Sequence, residues 1–357
     1  METTLSASAR NRLDHFDVLR VLAACCIVLL HVSAQNWSEV SVYTGTWQLY
    51  NAANGTGRWA VPVFLMISGA LFLDPDRPQD IKKLWNVRVR KMLTVFLFWS
   101  AFYALESLTR GGSPEEALRA FLKGKYHMWY LLTGAGLYML TPLIRRITDS
   151  REMTRYYLIL ALCFLILFPG ALHLLTCLDI DFLSPYLPEL EKFLNDFHFG
   201  FGQIYLFYYV LGHYLQRWGL PSVSAVRASL LAAGGWLFTI VLNSWYCRRT
   251  GTAGTAFFRL DSLNVLCMSA GLFLLAQNMT QRLPRRLLAV PGRLSRYTMG
   301  VYLLHPFVLD RLEYAGLHTL SFHAALSVPL LTVLVIVFSW GLSWVLQRSS
   351  FLKKFMV

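Results

Sequence analysis

The feature that most constrains this chain is a series of long apolar runs, repeated from one end to the other. Most are near the roughly twenty residues that an α-helix needs to cross a bilayer. They fall at about 15–34, 51–73, 90–109, 128–146, 155–174, 199–216, 226–246, 257–277, 297–313 and 324–347. Within each run the apolar residues are continuous rather than alternating, which is the pattern of a helix and not of a barrel strand. Without water, backbone N–H and C=O groups must pair inside the protein, and a continuous helix does this within the segment. Composition agrees: 55% of the 357 residues are hydrophobic and 15% charged, too few charges for a soluble body of this size. The expected fold is all-α, a polytopic transmembrane bundle of about ten spans.

The breaks between runs carry turn residues: Asp74 to Pro78, Gly111 to Pro114, Pro185 and Pro188, Pro221, Gly251 and Gly254, and Pro284. The segment 175–198 is long and acidic, with a short amphipathic helix expected at 187–197. No linker or internal repeat divides the chain, so the organisation reads as a tail over 1–11, one membrane domain over 12–347 and a second tail over 348–357. The first run ends in Val32-Ser33-Ala34, a cleavage-like pattern. It also carries Asp17, Arg20 and His31, cargo that suits a retained span better than a discarded leader. The six cysteines form no CxxC pair, and no metal site is expected. Cys177 and Cys247 would share the outer side, where sequence fixes no distance between them.

Net charge is +13, which in a soluble chain would suggest nucleic acid. Here topology accounts for it. The N-terminus, the even-numbered loops and the C-terminus hold 22 of the 33 Lys and Arg, against 10 on the other side. The positive-inside rule puts both termini in the cytoplasm, which an even number of spans satisfies. No nucleic-acid partner is expected; the basic loops 82–91 and 282–296 face anionic lipid.

An ionisable residue within a span is costly unless it is paired or faces a wet cavity. The first span has the strongest set. Arg20 and His31 are eleven residues apart, which on a helix is about 20° around the axis and about 16 Å along it. They share one face, with Asp17 one turn before Arg20, where an i,i+3 pair forms. A cytoplasmic arginine suits a phosphate, and a neutral imidazole suits general-base work on a hydroxyl. Coenzyme A, a phosphorylated head with a thin arm ending in a thioester, would span the gap. The competing reading is a snorkelling arginine and a histidine satisfied inside the bundle.

Four stretches then resemble, in order, the acyltransferase-3 family of integral membrane acyltransferases. They are HFDVLRVLAACCIVLLH at 15–31, RWAVPVFLMISGALFL at 58–73, HMWYLLTGAGLYMLTPLI at 127–144 and TMGVYLLHPFVL at 298–309. The resemblance covers about residues 12–345, and the short stand-alone members look most similar. It implies transfer of an acyl group, commonly acetyl, from cytoplasmic acyl-CoA to a cell-envelope glycan or lipid-linked sugar, in a bacterial inner membrane. Acetyl-CoA or another acyl-CoA would be a co-substrate, with no bound cofactor; the oligomeric state is not read. By resemblance His31 is the catalytic residue, and Arg20 takes the paired first-span position. The family's basic pair before the third span falls on Arg88 and Lys91, where a lysine replaces the usual second arginine.

The remaining polar and aromatic residues each carry two readings. Arg58 and Trp59 either orient an acceptor sugar or acyl carbonyl, or anchor the span at the interface. Ser68-Gly69 either lets helices approach or bonds substrate. His127, Trp129 and Tyr130 either line the acceptor pocket or form an aromatic belt. Tyr302 and His305 either face that pocket, or His305 satisfies carbonyls freed by Pro306, which is expected to break the ninth span. Glu106 reads as interfacial, its other reading being a partner for His31. Asp17 is too far along the helix for that role. Two routes stay open for His31, as general base or as transient acyl carrier. The rival function is a transporter or flippase for a glycan or lipid-linked sugar.

Overall fold

The computed structural model describes residues 2–77, 79–198, 203–220 and 222–356; for 2–13 and 285 it describes the backbone only. Pro78, Pro221 and the first residues of the sixth expected span therefore lie outside the described residues. The chain folds as a transmembrane helix bundle, with no strand among the described residues. Helix α1 is Glu2–Ala34, running back through the segment read as a tail. It is followed by α2 (Gly45–Thr56) and α3 (Ala60–Phe72). Next come α4 (Ile81–Thr109), with a π-helical stretch at Leu84–Val89, and the short capped α5 (Pro114–Lys123). Helix α6 is Trp129–Thr148, α7 is Arg151–Leu178, and α8 is Leu187–Asn195. Helices α9 (Ile204–Arg217), α10 (Ala225–Thr250) and α11 (Leu263–Thr280) follow. The chain closes with α12 (Arg285–Leu294), α13 (Thr298–Tyr314) and α14 (Ala324–Leu346).

Seven of these segments, among the described residues, are long and apolar enough to cross a membrane. Three expected spans, now α6, α9 and α13, are helical but fall short of that standard. Helices α9 and α13 have 14 and 17 described residues, which is too short, and α6 carries Arg145 and Arg146 in its last turn. Helix α9 carries eight buried residues in fourteen, among them Tyr208 and Tyr209, so protein and not lipid is its surroundings. Such a helix need not be apolar on every face.

Three further differences have local causes. The second span is two helices, parted at Gly57–Trp59, where α1 passes too close for a side chain. A methyl group on Gly57 would sit against the Cys26 carbonyl and Leu30. The eighth span starts at Leu263, so 257–262 is loop. Pro306 does not break α13, which runs on to Tyr314. There the His305 ring bonds the Val301 carbonyl at 3.1 Å, and the Tyr103 hydroxyl donates to the Leu303 carbonyl at 2.7 Å. Helix α8 lies within the amphipathic helix read at 187–197.

Helix α1 is the centre of the bundle, packed by α2, α3, α11, α12, α13 and α14. Elsewhere small residues set the closest crossings. A Cβ on Gly69 would overlap the Tyr209 carbonyl, and one on Gly212 would overlap Met66, so α3 and α9 meet backbone to backbone. The Ser68-Gly69 expectation of close approach holds at the glycine.

Polar contacts join the ends of the helices in two separate groups. Arg145, late in α6, donates to the carbonyls of Phe72 and Asp74 at 3.1 and 2.9 Å, and Arg217, closing α9, pairs with Asp76 at 2.5 Å. Gln216 meets His15 of α1 at 3.0 Å and Gln277 of α11 at 2.8 Å. The opposite end joins Lys125 to Asp310 at 2.6 Å and Glu106 to Arg110 and Arg311 at 2.7 and 2.5 Å. That last pair of contacts occupies Glu106, so it is no partner for His31. All six cysteines are free; Cys247 bonds the Gly254 backbone and Cys177 lies 3.6 Å from the His173 ring.

Candidate active site

A cavity of about 460 Å³ opens along α1. Arg20 and His31 both line it, with Ile27 and Leu30 between them on the same helix face. The eleven-residue spacing therefore does what the helix period requires. The turn at Gly57 and Arg58, helices α3, α4, α6 and α13, His127 and the loop before α11 complete the walls. A larger pocket of about 590 Å³, between α7, α10 and α11, is lined almost wholly by apolar side chains, His173 being its one titratable imidazole. A reaction site needs convergent polar groups, so the α1 cavity is the candidate.

Arg20 holds Asp17 at 3.4 Å and keeps 30% of its side chain exposed, as a cation at an open mouth would. Deeper in, His31 Nδ1 lies 2.8 Å from Nε2 of His305. The two ring planes differ by only 16°. The Tyr126 ring stands edge-on to His31, with centroids 5.1 Å apart. His31 Nε2 has no hydrogen-bond partner among the described residues.

Arg58 also faces the cavity. Its guanidinium bonds Asn54 and lies over the Phe258 ring at 4.5 Å. No carboxylate pairs with it among the described residues, and its Nε is shut away from solvent unbonded. His127 lines the cavity too; it is 3% exposed, and neither ring nitrogen has a partner. Buried polar groups are nearly always bonded, so such orphans mark places where a ligand group fits. Trp129, Tyr130 and Tyr302 supply aromatic wall, and the Tyr302 hydroxyl donates to the His127 carbonyl.

Four expected residues are placed otherwise. His305 is fully buried and stands behind His31, not on the wall. Its ring points inward from the unbroken α13, toward α1. Trp59 is 5% exposed and packs in the core, neither wall nor interfacial anchor. Arg88 and Lys91 lie outside the cavity wall, which Met92 reaches instead. Arg88 is exposed and lies 5.5 Å from the Phe72 ring. Reading missed Tyr126, Phe258 and Arg259. The last two sit in the loop that hydropathy absorbed into a span; the Arg259–Asp261 pair, bonded at 2.9 and 2.6 Å, was the signal available. Among the described residues no group of three or more His, Cys, Asp or Glu is arranged to hold a metal ion.

Comparison with protein families gives one match: the family described as acyltransferase domain, acyltransferase-3, over residues 13–347. Nothing among curated proteins or solved structures matches the chain.

Proposed function

The chain belongs to the acyltransferase-3 family, and on that premise we propose that it is a membrane O-acyltransferase moving an acyl group, in the simplest case acetyl, from acyl-CoA to a hydroxyl of a cell-envelope carbohydrate. The observation that carries this reading is that Arg20 and His31 open on one cavity with the uncompensated cation of Arg58. A bare cation and unbonded imidazole nitrogens are costly furnishings for a packing interface and useful ones for a thioester. We place the protein in the inner membrane of a bacterium, with both termini in the cytoplasm.

Acyl-CoA enters at the Arg20 mouth, where guanidinium meets phosphate. Arg88 and Lys91, outside the wall, meet the nucleotide end of the donor. The thin arm passes Ile27 and Leu30 and brings the thioester to His31. An acceptor sugar, free or lipid-linked, stacks on Trp129, Tyr130 and Tyr302, and His127 bonds a second hydroxyl. The free nitrogen of His31 takes the acceptor proton as that oxygen attacks the thioester carbon. Arg58 faces the oxyanion that forms. The C–O bond is made, the C–S bond breaks, and the proton passes from His31 to the departing thiolate. Acyl-CoA is a co-substrate in this scheme, and no bound cofactor takes part.

The test is turnover by the purified protein in lipid nanodiscs with radiolabelled acetyl-CoA and envelope glycan fractions. Label should pass to one glycan fraction as free thiol appears in equal amount. His31→Ala should keep the protein in the membrane and remove nearly all transfer, since positioned acid–base catalysis is worth about 10²–10⁴-fold. Full activity in that variant ends the assignment of His31. An intact thioester with every fraction, alongside glycan movement across vesicles, would instead identify a transporter.

A further inference from the structure

Resting on that reading of His31, we propose that His305 is a positioning residue: it fixes His31 as the tautomer protonated at Nδ1, leaving Nε2 as the nitrogen that takes the acceptor proton. The argument is one of hydrogen-bond valence along three groups. His305 Nδ1 lies 3.1 Å from the Val301 carbonyl oxygen. A carbonyl oxygen only accepts, so Nδ1 of His305 carries hydrogen. An imidazolium at 305 would be a fully buried cation, with no carboxylate paired to it among the described residues, and isolated buried charge is strongly disfavoured. The ring is therefore neutral, and its Nε2 holds a lone pair.

That lone pair lies 2.8 Å from His31 Nδ1. A hydrogen must stand between them, and only His31 can supply it. The ring planes are 16° apart and the centroids 4.9 Å apart, so the rings meet edge to edge, as an in-plane N–H···N bond needs. His127, whose ring stands at 71° to that of His305, bonds neither and does not compete for the lone pair. The carbonyl of Val301 thus sets one ring, and that ring sets the next. Serine-hydrolase-type sites use a carboxylate for the same task. Here a neutral second histidine does it, without adding charge beside Arg58.

The experiment is nitrogen-15 NMR of the histidine rings in the whole protein in nanodiscs, with the nine histidines assigned by single substitution. Two-bond couplings report which nitrogen of each ring carries hydrogen. In the unaltered protein His31 should be protonated at Nδ1 and bare at Nε2, and His305 likewise. In His305→Phe, His31 should become a mixture of tautomers. His305→Gln, whose side-chain oxygen reaches the same place, should hold the Nδ1–H form. Acyl transfer should follow: His305→Phe, by losing both the single tautomer and the held ring orientation, should lower kcat by about tenfold or more and leave KM for acyl-CoA within about twofold, while His305→Gln recovers most of the rate.

Hydrogen on His31 Nε2 in the unaltered protein overturns the proposal, whatever the activity. So does an unchanged His31 spectrum in His305→Phe, or an equal kcat loss in both variants. Failure of the base assignment is read separately, by full transfer in His31→Ala.

Discussion

At the scale of single residues, Arg58 separates chemistry from stability most cleanly. A guanidinium with no carboxylate partner is not there to hold helices together, since desolvation offsets much of what its contacts give. Its bonds to Asn54 and the Phe258 face orient it and leave Nε unsatisfied. Arg58→Met should unfold with a stability within about 1 kcal/mol of the parent, while transfer falls by about 10²-fold or more, the usual cost of losing an oxyanion donor. Thermal unfolding in detergent and label transfer are the paired measurements. A drop of many degrees in Tm with kcat intact would make Arg58 structural instead. Most of the wall was legible because an ionisable or aromatic residue stands out against apolar sequence: Arg20, His31, Arg58, His127, Trp129, Tyr130 and Tyr302 all reach it. Which way a residue points at an irregular turn was not. Trp59 follows the break at Gly57, where no helical period applies, and for His305, inside the continuous α13, the neighbour it faces was what sequence did not supply.

At the scale of helices, the same reasoning explains what hydropathy saw and what it merged. Hydropathy averages over a window, so it joins α2 to α3 and extends the eighth span over 257–262. A short break such as 57–59 vanishes in that average, and the approach of α1 to Gly57 involves residues distant in sequence. Close crossings make a sharper test, because two adjacent glycines on α10 have opposite surroundings. A Cβ on Gly235 would overlap Asn264 and Met268 of α11, while one on Gly234 meets nothing within 4 Å. Gly234→Ala should be neutral or stabilising by up to about 1 kcal/mol, as alanine is the better helix former. Gly235→Ala should cost about 1–3 kcal/mol, because overpacking forces the helices apart. Detergent-solubilised Tm values for the two variants, one residue apart, would decide whether α10 and α11 pack as described; equal effects would exclude it. Gly235 was not distinguishable from Gly234 in sequence, since which face of an apolar helix meets a neighbour is set by that neighbour.

At the scale of the whole molecule, direction across the membrane decides whether the chemistry works at all. The loop at 73–77, the ends of α6, α9 and α11 and the beginning of α1 gather at one end through Arg145, Arg217 and Gln216. Glu106, Lys125 and Asp310 gather at the other. Arg20 lies toward the first end and His31 further along, so the cavity has a fixed polarity relative to the loops. The positive-inside rule favours the first end as the cytoplasmic one, and the proposed donor, acyl-CoA, is cytoplasmic. These two lines of argument are independent, one electrostatic and one metabolic, and they agree only in one orientation. A fluorescent protein fused after Val357 should therefore glow, and alkaline phosphatase fused there should be inactive. A phosphatase fused after Gly316, in the loop that follows α13, should be active. The reverse pattern would place the Arg20 mouth where no thioester donor exists, and the direction of transfer would fail even with every side chain where it stands.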